Sequence, residues 1–324
     1  RYLYGGSMHS LTVSNTDKNA DFSTLSAALT TAGCLEGPVT ITLKAGVYHE
    51  LVTINRPYTT IIGEGKDTVI SMNRYAKEML PDGLKRGTFR TQTVFIDADF
   101  VTLKDLTIEN TAGPGRKFGQ AIALYADGDC LVFENVSLLG EQDTLFTGPL
   151  PFKTIEPGGF RGPKEFAPRR VGRHLYRNCY IEGNVDFIFG GATCWFEGCE
   201  LFTKAGSMPP DGDIYGYVTA ASTPEGSKYG YVFKDCRFTS DCPSASVYLG
   251  RPWRDYAKTV LIGCELGPHI HPAGWHDWGK TAAHGKFYYA EYNTTPTPTT
   301  RAPYSNILTK EEAAEYTREN VIGF

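Results

Sequence analysis

A six-residue pattern that recurs along the chain constrains the fold more than any other feature. It appears as Leu103-Lys104-Asp105-Leu106-Thr107-Ile108 and Phe133-Glu134-Asn135-Val136-Ser137-Leu138. It returns as Tyr176-Arg177-Asn178-Cys179-Tyr180-Ile181, Phe196-Glu197-Gly198-Cys199-Glu200-Leu201, Phe233-Lys234-Asp235-Cys236-Arg237-Phe238 and Leu261-Ile262-Gly263-Cys264-Glu265-Leu266. Each copy reads apolar, variable, small turn former, small or aliphatic, variable, apolar. Two short strands meet at a bend, and Asn, Asp or Gly at the bend tolerates a left-handed backbone. The copies fall at irregular intervals. A fixed strand unit with variable spacing is the signature of a solenoid whose coils carry loops of different length. Apolar spacing of three and four, which a helical solenoid needs, is absent from these segments. The expected fold is all-β, a right-handed parallel β-helix with short capping helices. A β-sandwich is the second choice, but the tight Asn-Gly hairpin signals it would use are missing.

The ends of a solenoid must be covered. Apolar residues at 22, 25, 29 and 32 predict a helix over 21–32 with Asp21 as its N-cap. Thr309-Lys310-Glu311-Glu312 is a capping-box pattern and predicts a short C-terminal helix. Residues 292–303, rich in Thr and Pro, read as a connecting arm. Residues 9–324 are therefore one domain, and residues 1–8 read as an expression scar or disordered N-terminus.

Composition narrows the function classes. The chain has 324 residues, 41% of them hydrophobic, and a net charge of −4. There is no basic tail or Lys/Arg block, so nucleic acid is not an expected partner. No apolar stretch approaches the roughly 18 residues of a membrane span, and no signal-peptide core is visible at the N-terminus. Eight cysteines would suggest disulfides in a secreted protein. Here cysteine shares one repeat slot with Leu106 and Val136, so it behaves as a small buried hydrophobe. Cys179, Cys199, Cys236 and Cys264 are expected to stack, unpaired, on successive coils. No Cys or His cluster has metal-ligand spacing, and neither a metal nor a cofactor is expected.

The chemistry sits in three strings. Gly183-Asn184-Val185-Asp186-Phe187-Ile188-Phe189-Gly190 places a carboxylate in an apolar strand. Period-2 alternation would put Val185, Phe187 and Phe189 on one face and Asp186 on the other. Leu249-Gly250-Arg251-Pro252-Trp253 offers a guanidinium and an indole on one side of an extended segment. Gln142-Asp143-Thr144 adds a second carboxylate beside an amide. Each residue alone has a plainer reading: Asp143 as a turn cap, Arg251 as a structural ion pair, Trp253 as core, Gln120 as a ladder between coils. His49, His174, His269, His271, His276 and His284 are scattered, and no Gly-x-Ser-x-Gly elbow accompanies them. Together, two carboxylates, an arginine, amide donors and a tryptophan suit hydrolysis of a sugar derivative.

The ordered set of motifs resembles the pectin methylesterases, a carbohydrate esterase family of parallel β-helices. The likeness runs over nearly the whole chain. It includes Lys44-Ala45-Gly46-Val47-Tyr48, Ile62-Gly63-Glu64-Gly65, Gly119-Gln120-Ala121-Ile122-Ala123-Leu124, Gln142-Asp143-Thr144-Leu145-Phe146 and the Asp186 string. It ends with Gly216-Tyr217-Val218-Thr219-Ala220-Ala221, Leu249 to Trp253 and Gly274-Trp275. The resemblance implies hydrolysis of galacturonate methyl esters in pectin or methylated oligogalacturonate, with no cofactor and a monomeric enzyme. It implies Asp186 as nucleophile, Asp143 as general acid/base, Gln120 and Gln142 as oxyanion donors, and Arg251 as partner of the nucleophile. Trp253, Phe187, Phe146 and Thr219 are then expected to bind substrate. It also implies a secreted or cell-wall location, whereas the reduced-looking cysteines and absent leader would suit the cytoplasm.

Two departures stand out. Asp143 and Asp186 are farther apart than in most members of that family. The excess lies between Gly148 and Arg173, and holds Lys153, Arg161, Lys164, Arg169, Arg170 and Arg173 against Glu156 and Glu165. This basic insertion is expected to border the cleft and attract a polyanion. Phe146 also stands where many relatives have Tyr. The competing functions are a pectate lyase, which would need a carboxylate cluster for Ca²⁺, a polygalacturonase, and a non-catalytic carbohydrate-binding β-helix.

Overall fold

The repeat sets the architecture. A computed structural model describes residues 7–206 and 212–324, so most of the expected N-terminal segment lies outside the described residues. Among the described residues, every pairing between the strands is parallel, in one sheet of 17 strands and one of seven. The chain forms a parallel β-helix. The seven-stranded sheet takes one strand per coil, in the spatial order Val52–Ile54, Val94–Asp97, Leu124–Asp127, Leu145–Thr147, Val185–Gly190, Gly216–Ala221 and Val247–Gly250.

At the repeat, all six bend residues are left-handed. Asp105, Asn135, Asn178 and Asp235 have φ between 52° and 56°, and Gly198 and Gly263 have φ of 62° and 65°. The alternation of Asn or Asp with Gly has a steric cause. A Cβ on Gly198 would come within 2.5 Å of Asn178 Oδ1, and one on Gly263 would meet Asp235 Oδ1 at the same distance. Each polar side chain thus lies over the next bend, and Asn135 donates to Asp105 Oδ1 at 2.7 Å.

Inside the coils, like residues stack at the strand spacing of about 4.8 Å. Phe133, Tyr176, Phe196 and Phe233 form a continuous near-parallel stack with centroids 4.4–4.7 Å apart. The Cys179, Cys199, Cys236 and Cys264 side chains are buried, and their thiols donate to the carbonyls of Phe133, Tyr176, Phe196 and Phe233 at 3.3–3.4 Å. Cysteine here is a small apolar filler with a weak donor.

The capping helices depart from expectation. The first spans Leu25–Ala32, and its N-cap is Thr24, whose hydroxyl accepts from Ala27 N. Asp21 instead accepts from the Thr12 amide at 2.8 Å, so it pins a strand rather than starting a helix. The C-terminal capping box is present on Lys310–Ala313, with Thr309 and Glu312 bonded reciprocally, and a further helix spans Arg318–Ile322. Both pack on Leu175, Trp195, Val232 and Val260, so they cover a flank of the large sheet rather than the solenoid's end. That end is filled by Trp275 stacked on Tyr289 at 4.5 Å, with Phe287 beside them. The arm over 292–303 is pinned by a buried pair: Arg301 grips Glu291 through Nε and Nη2 at 2.7 and 3.1 Å. No helix among the described residues is long and apolar enough to cross a membrane.

Candidate active site

The seven-stranded sheet carries both carboxylates. Leu145 pairs with Ile188, and the Asp143 amide donates to Val185 O at 3.1 Å. Asp143 and Asp186, two residues before that pair, therefore occupy matching positions on neighbouring coils. Both are left-handed, with φ of 64° and 52°. This conformation is uncommon for a residue with a side chain, and here it turns both carboxyls out of the strand into one cleft.

The same bend overturns the expected alternation. Phe187 and Ile188 are both fully buried in the interior core, while Phe189 joins the aromatic cluster on the cleft side with Asp186. The register with the next strand shifts between Val185 and Ile188. A left-handed residue inside a strand resets the two-residue period, as a bulge does. The residue that changes side is Phe189; Phe187 stays opposite Asp186, in the core, and is not a substrate contact.

The cleft is lined by Gln120, Gln142, Asp143, Asp186, Arg251 and Trp253, together with Phe89, Phe189 and Trp278. Gln142 and Arg251 also line an adjoining hollow with Tyr217 and Arg116. The Ala121 amide donates to Gln142 O, which puts Gln120 and Gln142 on neighbouring coils. A Cβ on Gly115 would collide with Gln142, so a residue without a side chain is required there to seat the amide.

Arg251 holds Asp186 in a two-pronged grip, Nε to Oδ1 at 2.8 Å and Nη2 to Oδ2 at 2.7 Å. Its guanidinium lies over the Tyr217 ring at 3.9 Å and the Trp278 ring at 3.6 Å. Such cation–π contacts strengthen when desolvated. Burial opposes the charge on Arg251, but Asp186 outweighs it and the guanidinium is held more firmly protonated than usual. Asp143 has no such partner. Burial first, and the charge of Asp186 second, push its carboxyl well above the ordinary range, with Arg251 opposing them. Neighbouring carboxyls are thereby set in opposite roles, one paired and one favouring its proton.

Trp253 packs edge-on to Phe160, Phe146 and Phe189 at 6.3, 6.5 and 5.5 Å, and lies nearly parallel to Phe89 at 6.4 Å. Its carbonyl accepts from Lys280 Nζ at 2.9 Å and Arg254 Nη1 at 3.0 Å. Phe146 is fully buried beneath this layer, and Thr219, 1% exposed, donates to Leu249 O. Neither lines the cleft, so both support the wall and do not touch a ligand. Tyr217, Trp278, Phe89 and Phe189 were not among the sequence-based candidates. Trp275, three residues before Trp278, carries the sequence signal but is core. Trp278 is recognisable only once its left-handed turn (φ 55°) brings it over Arg251.

The insertion does border the cleft, through Thr154, Ile155, Glu156, Gly159 and Phe160. Its basic residues are not in the cleft lining, and four of them are tied elsewhere. Lys164 pairs with Asp97 at 2.6 Å, Arg170 with Asp99 at 2.6 Å and Arg173 with Asp129 at 2.8 Å. Arg169 donates to the carbonyls of Pro151, Lys164, Glu165 and Ala167. Asp97 and Asp127 are paired residues on adjacent strands, so the acids form a ladder that staples the insertion down. The expected attraction of a polyanion by this segment is corrected accordingly. Among the described residues, no group of three or more His, Cys, Asp or Glu side chains is placed to hold a metal.

The pectinesterase family model matches residues 11–149 and 169–323. The chain belongs to the pectinesterase family. It is a carboxylic ester hydrolase. It is 33% identical over 297 residues to Pectinesterase QRT1 of Arabidopsis thaliana, covering 88% of this chain and 70% of that one. It is 31% identical over 306 residues to Pectinesterase 1 of Citrus sinensis, with 91% and 47% covered. The chain thus spans about half the length of several relatives. Among solved structures, the pectin methylesterase PemA from Erwinia chrysanthemi matches with a TM-score of 0.79 and 29% identity, over 97% of this chain and 96% of that one. A pectin methylesterase in complex with a hexasaccharide matches with 0.81, 29% identity and the same coverage. The pectin methylesterase from carrot matches with 0.78 and 27%, over 97% and 93%.

Proposed function

We propose that this chain hydrolyses the methyl esters of galacturonate in pectin, with Asp186 as nucleophile and Asp143 as proton donor and acceptor. The observation that carries the reading is the unequal treatment of two matching carboxylates: Asp186 is gripped by Arg251, and Asp143 is buried without a cation of its own.

A carboxylate oxygen of Asp186 attacks the ester carbonyl carbon. Negative charge builds on the carbonyl oxygen, and the side-chain amides of Gln120 and Gln142 donate to it. The tetrahedral species collapses by expelling methoxide, which takes the proton of Asp143 and leaves as methanol. The acid is now joined to Asp186 as an anhydride. Asp143, ionised by that step, takes a proton from water as the water attacks the acyl carbon. Asp186 is released as a carboxylate, and Asp143 is again protonated. Arg251 orients the Asp186 carboxylate for attack and receives it again when the anhydride is hydrolysed.

Methanol release from esterified pectin, with no gain of unsaturated ends or reducing ends, tests the reaction. Unsaturated ends would indicate a lyase, and new reducing ends a glycosidase. A protein that binds pectin and releases none of the three would be a non-catalytic module.

A further inference from the structure

The family model passes over residues 150–168, the stretch of the insertion that supplies one wall of the cleft. On that reading of the site, we infer that this wall selects the sugar beside the reacting one, favouring a methyl-esterified galacturonate over the free acid on the Trp253 side. The wall is fixed rather than loose. Its far edge is stapled by Lys164 and Arg170 to Asp97 and Asp99, and its near edge by Arg254 Nη2 donating to Lys153 O at 2.9 Å. Phe160, 5% exposed, locks it to Phe89 at 5.7 Å and to Trp253.

Apart from Thr154, what it presents to the cleft is apolar or acidic. Ile155 is 75% exposed and lines the cleft, where a bound apolar group would cover it. The wall's one ionisable side chain in the cleft lining is Glu156. The neighbouring cation, Arg254, donates through both Nη atoms to backbone carbonyls and lies over the Trp253 ring at 4.8 Å. Arg251 is taken by Asp186. A carboxylate entering here would lose water among aromatic rings and face Glu156, while Arg251 is neutralised by Asp186 and Arg254, though still charged, is held against the Trp253 ring and two backbone carbonyls. A methyl ester brings no charge and can bury its methyl against Ile155 and Trp253.

The test uses two oligogalacturonates of equal length, one fully methyl-esterified and one about half-esterified. Methanol release per ester is measured for the wild type, Ile155→Ser and Glu156→Gln. Ile155 and Glu156 lie at the surface, so both variants should fold. The wild type should favour the fully esterified substrate. Ile155→Ser should lower kcat/KM on that substrate through KM by about fourfold, the worth of burying one methyl group, with less effect on the other. Glu156→Gln should raise kcat/KM on the half-esterified substrate alone. Equal changes on both substrates, or no wild-type preference, would overturn the selecting wall and leave the esterase reading intact. No methanol from either substrate would overturn both.

Discussion

Two corners of this β-helix use the same backbone device for opposite ends. At one, Asp105, Asn135, Asn178, Gly198, Asp235 and Gly263 turn the chain through left-handed residues, coil after coil. The polar side chains lie against neighbouring bends: Asn135 donates to Asp105 on the preceding coil, and Asn178 and Asp235 lie over Gly198 and Gly263 on the following ones. At the other, Asp143 and Asp186 make the same turn on two successive coils, but their carboxyls point out into a cleft. The first corner keeps its polar side chains against neighbouring bends. The second leaves one carboxyl on an arginine and the other without a cation of its own. A solenoid therefore builds a catalytic pair from its ordinary corner, by changing what surrounds two turns rather than inventing a new one.

The largest expected effect breaks the equivalence at the site. Asp186→Asn keeps the shape and removes the nucleophile, and turnover on pectin should fall at least about a thousandfold, while pectin still binds in a pull-down or calorimetric assay. Near-normal turnover would show that Asp186 is only another structural corner.

Arg251→Lys comes next. It keeps a charge but loses the two-pronged grip and the flat surface held between Tyr217 and Trp278. Steady-state methanol release should fall roughly a hundredfold through misplacement of the nucleophile, with the circular dichroism spectrum unchanged. An effect below a few-fold would mean that charge alone suffices.

The structural corner should respond in stability and not in rate. Asn178→Ala places an ordinary side chain at φ 53°, which costs about 1 kcal/mol. Denaturant midpoints should drop while kcat on pectin at saturation stays within error. A drop in kcat would show that the two corners are mechanically coupled.

The smallest effect concerns proton linkage at Asp143. Its folded pKa lies above its unfolded value, so between the two the folded protein binds a proton that the unfolded chain has lost. Stability contributed by this group is fully present at low pH and is lost as pH rises through that window. Asp143→Asn removes the titration, so its Tm relative to wild type should rise with pH. A difference independent of pH would show that Asp143 is not kept protonated by its surroundings.

The structural corner was fully legible in the sequence because the same demand recurs on every coil. Six copies of one pattern named the bend, the inward slots and the cysteine stack. The site was legible in residue type but not in geometry. Asp186, Asp143, Arg251, Gln120, Gln142 and Trp253 all line the cleft. Phe189 was placed on the wrong side because the two-residue period holds only while the backbone stays extended, and residue 186 does not; Phe187 lies opposite Asp186 as the alternation had it, and is core rather than a substrate contact. Phe146 and Thr219 lie one layer too deep for a ligand. Trp278 and Tyr217, which sandwich Arg251, come from segments far apart in the chain, and no local pattern joins them to it. The insertion's basic residues suggested a charged rim because sequence cannot show that Asp97, Asp99 and Asp129 wait on other coils to receive them.

The division of labour between the two matching aspartates is tested most directly by the leaving group. Asp143→Asn and Asp186→Asn are compared on a galacturonate methyl ester and on a galacturonate ester whose alcohol leaves more readily. If Asp143 supplies the proton to the departing alkoxide, its loss should matter much less for the better leaving group, because protonation is then less needed. Asp186→Asn should be equally inactive on both, since no leaving group replaces a nucleophile. Rescue of Asp143→Asn alone is the predicted result. Rescue of neither variant, or of Asp186→Asn instead, would contradict the assigned roles.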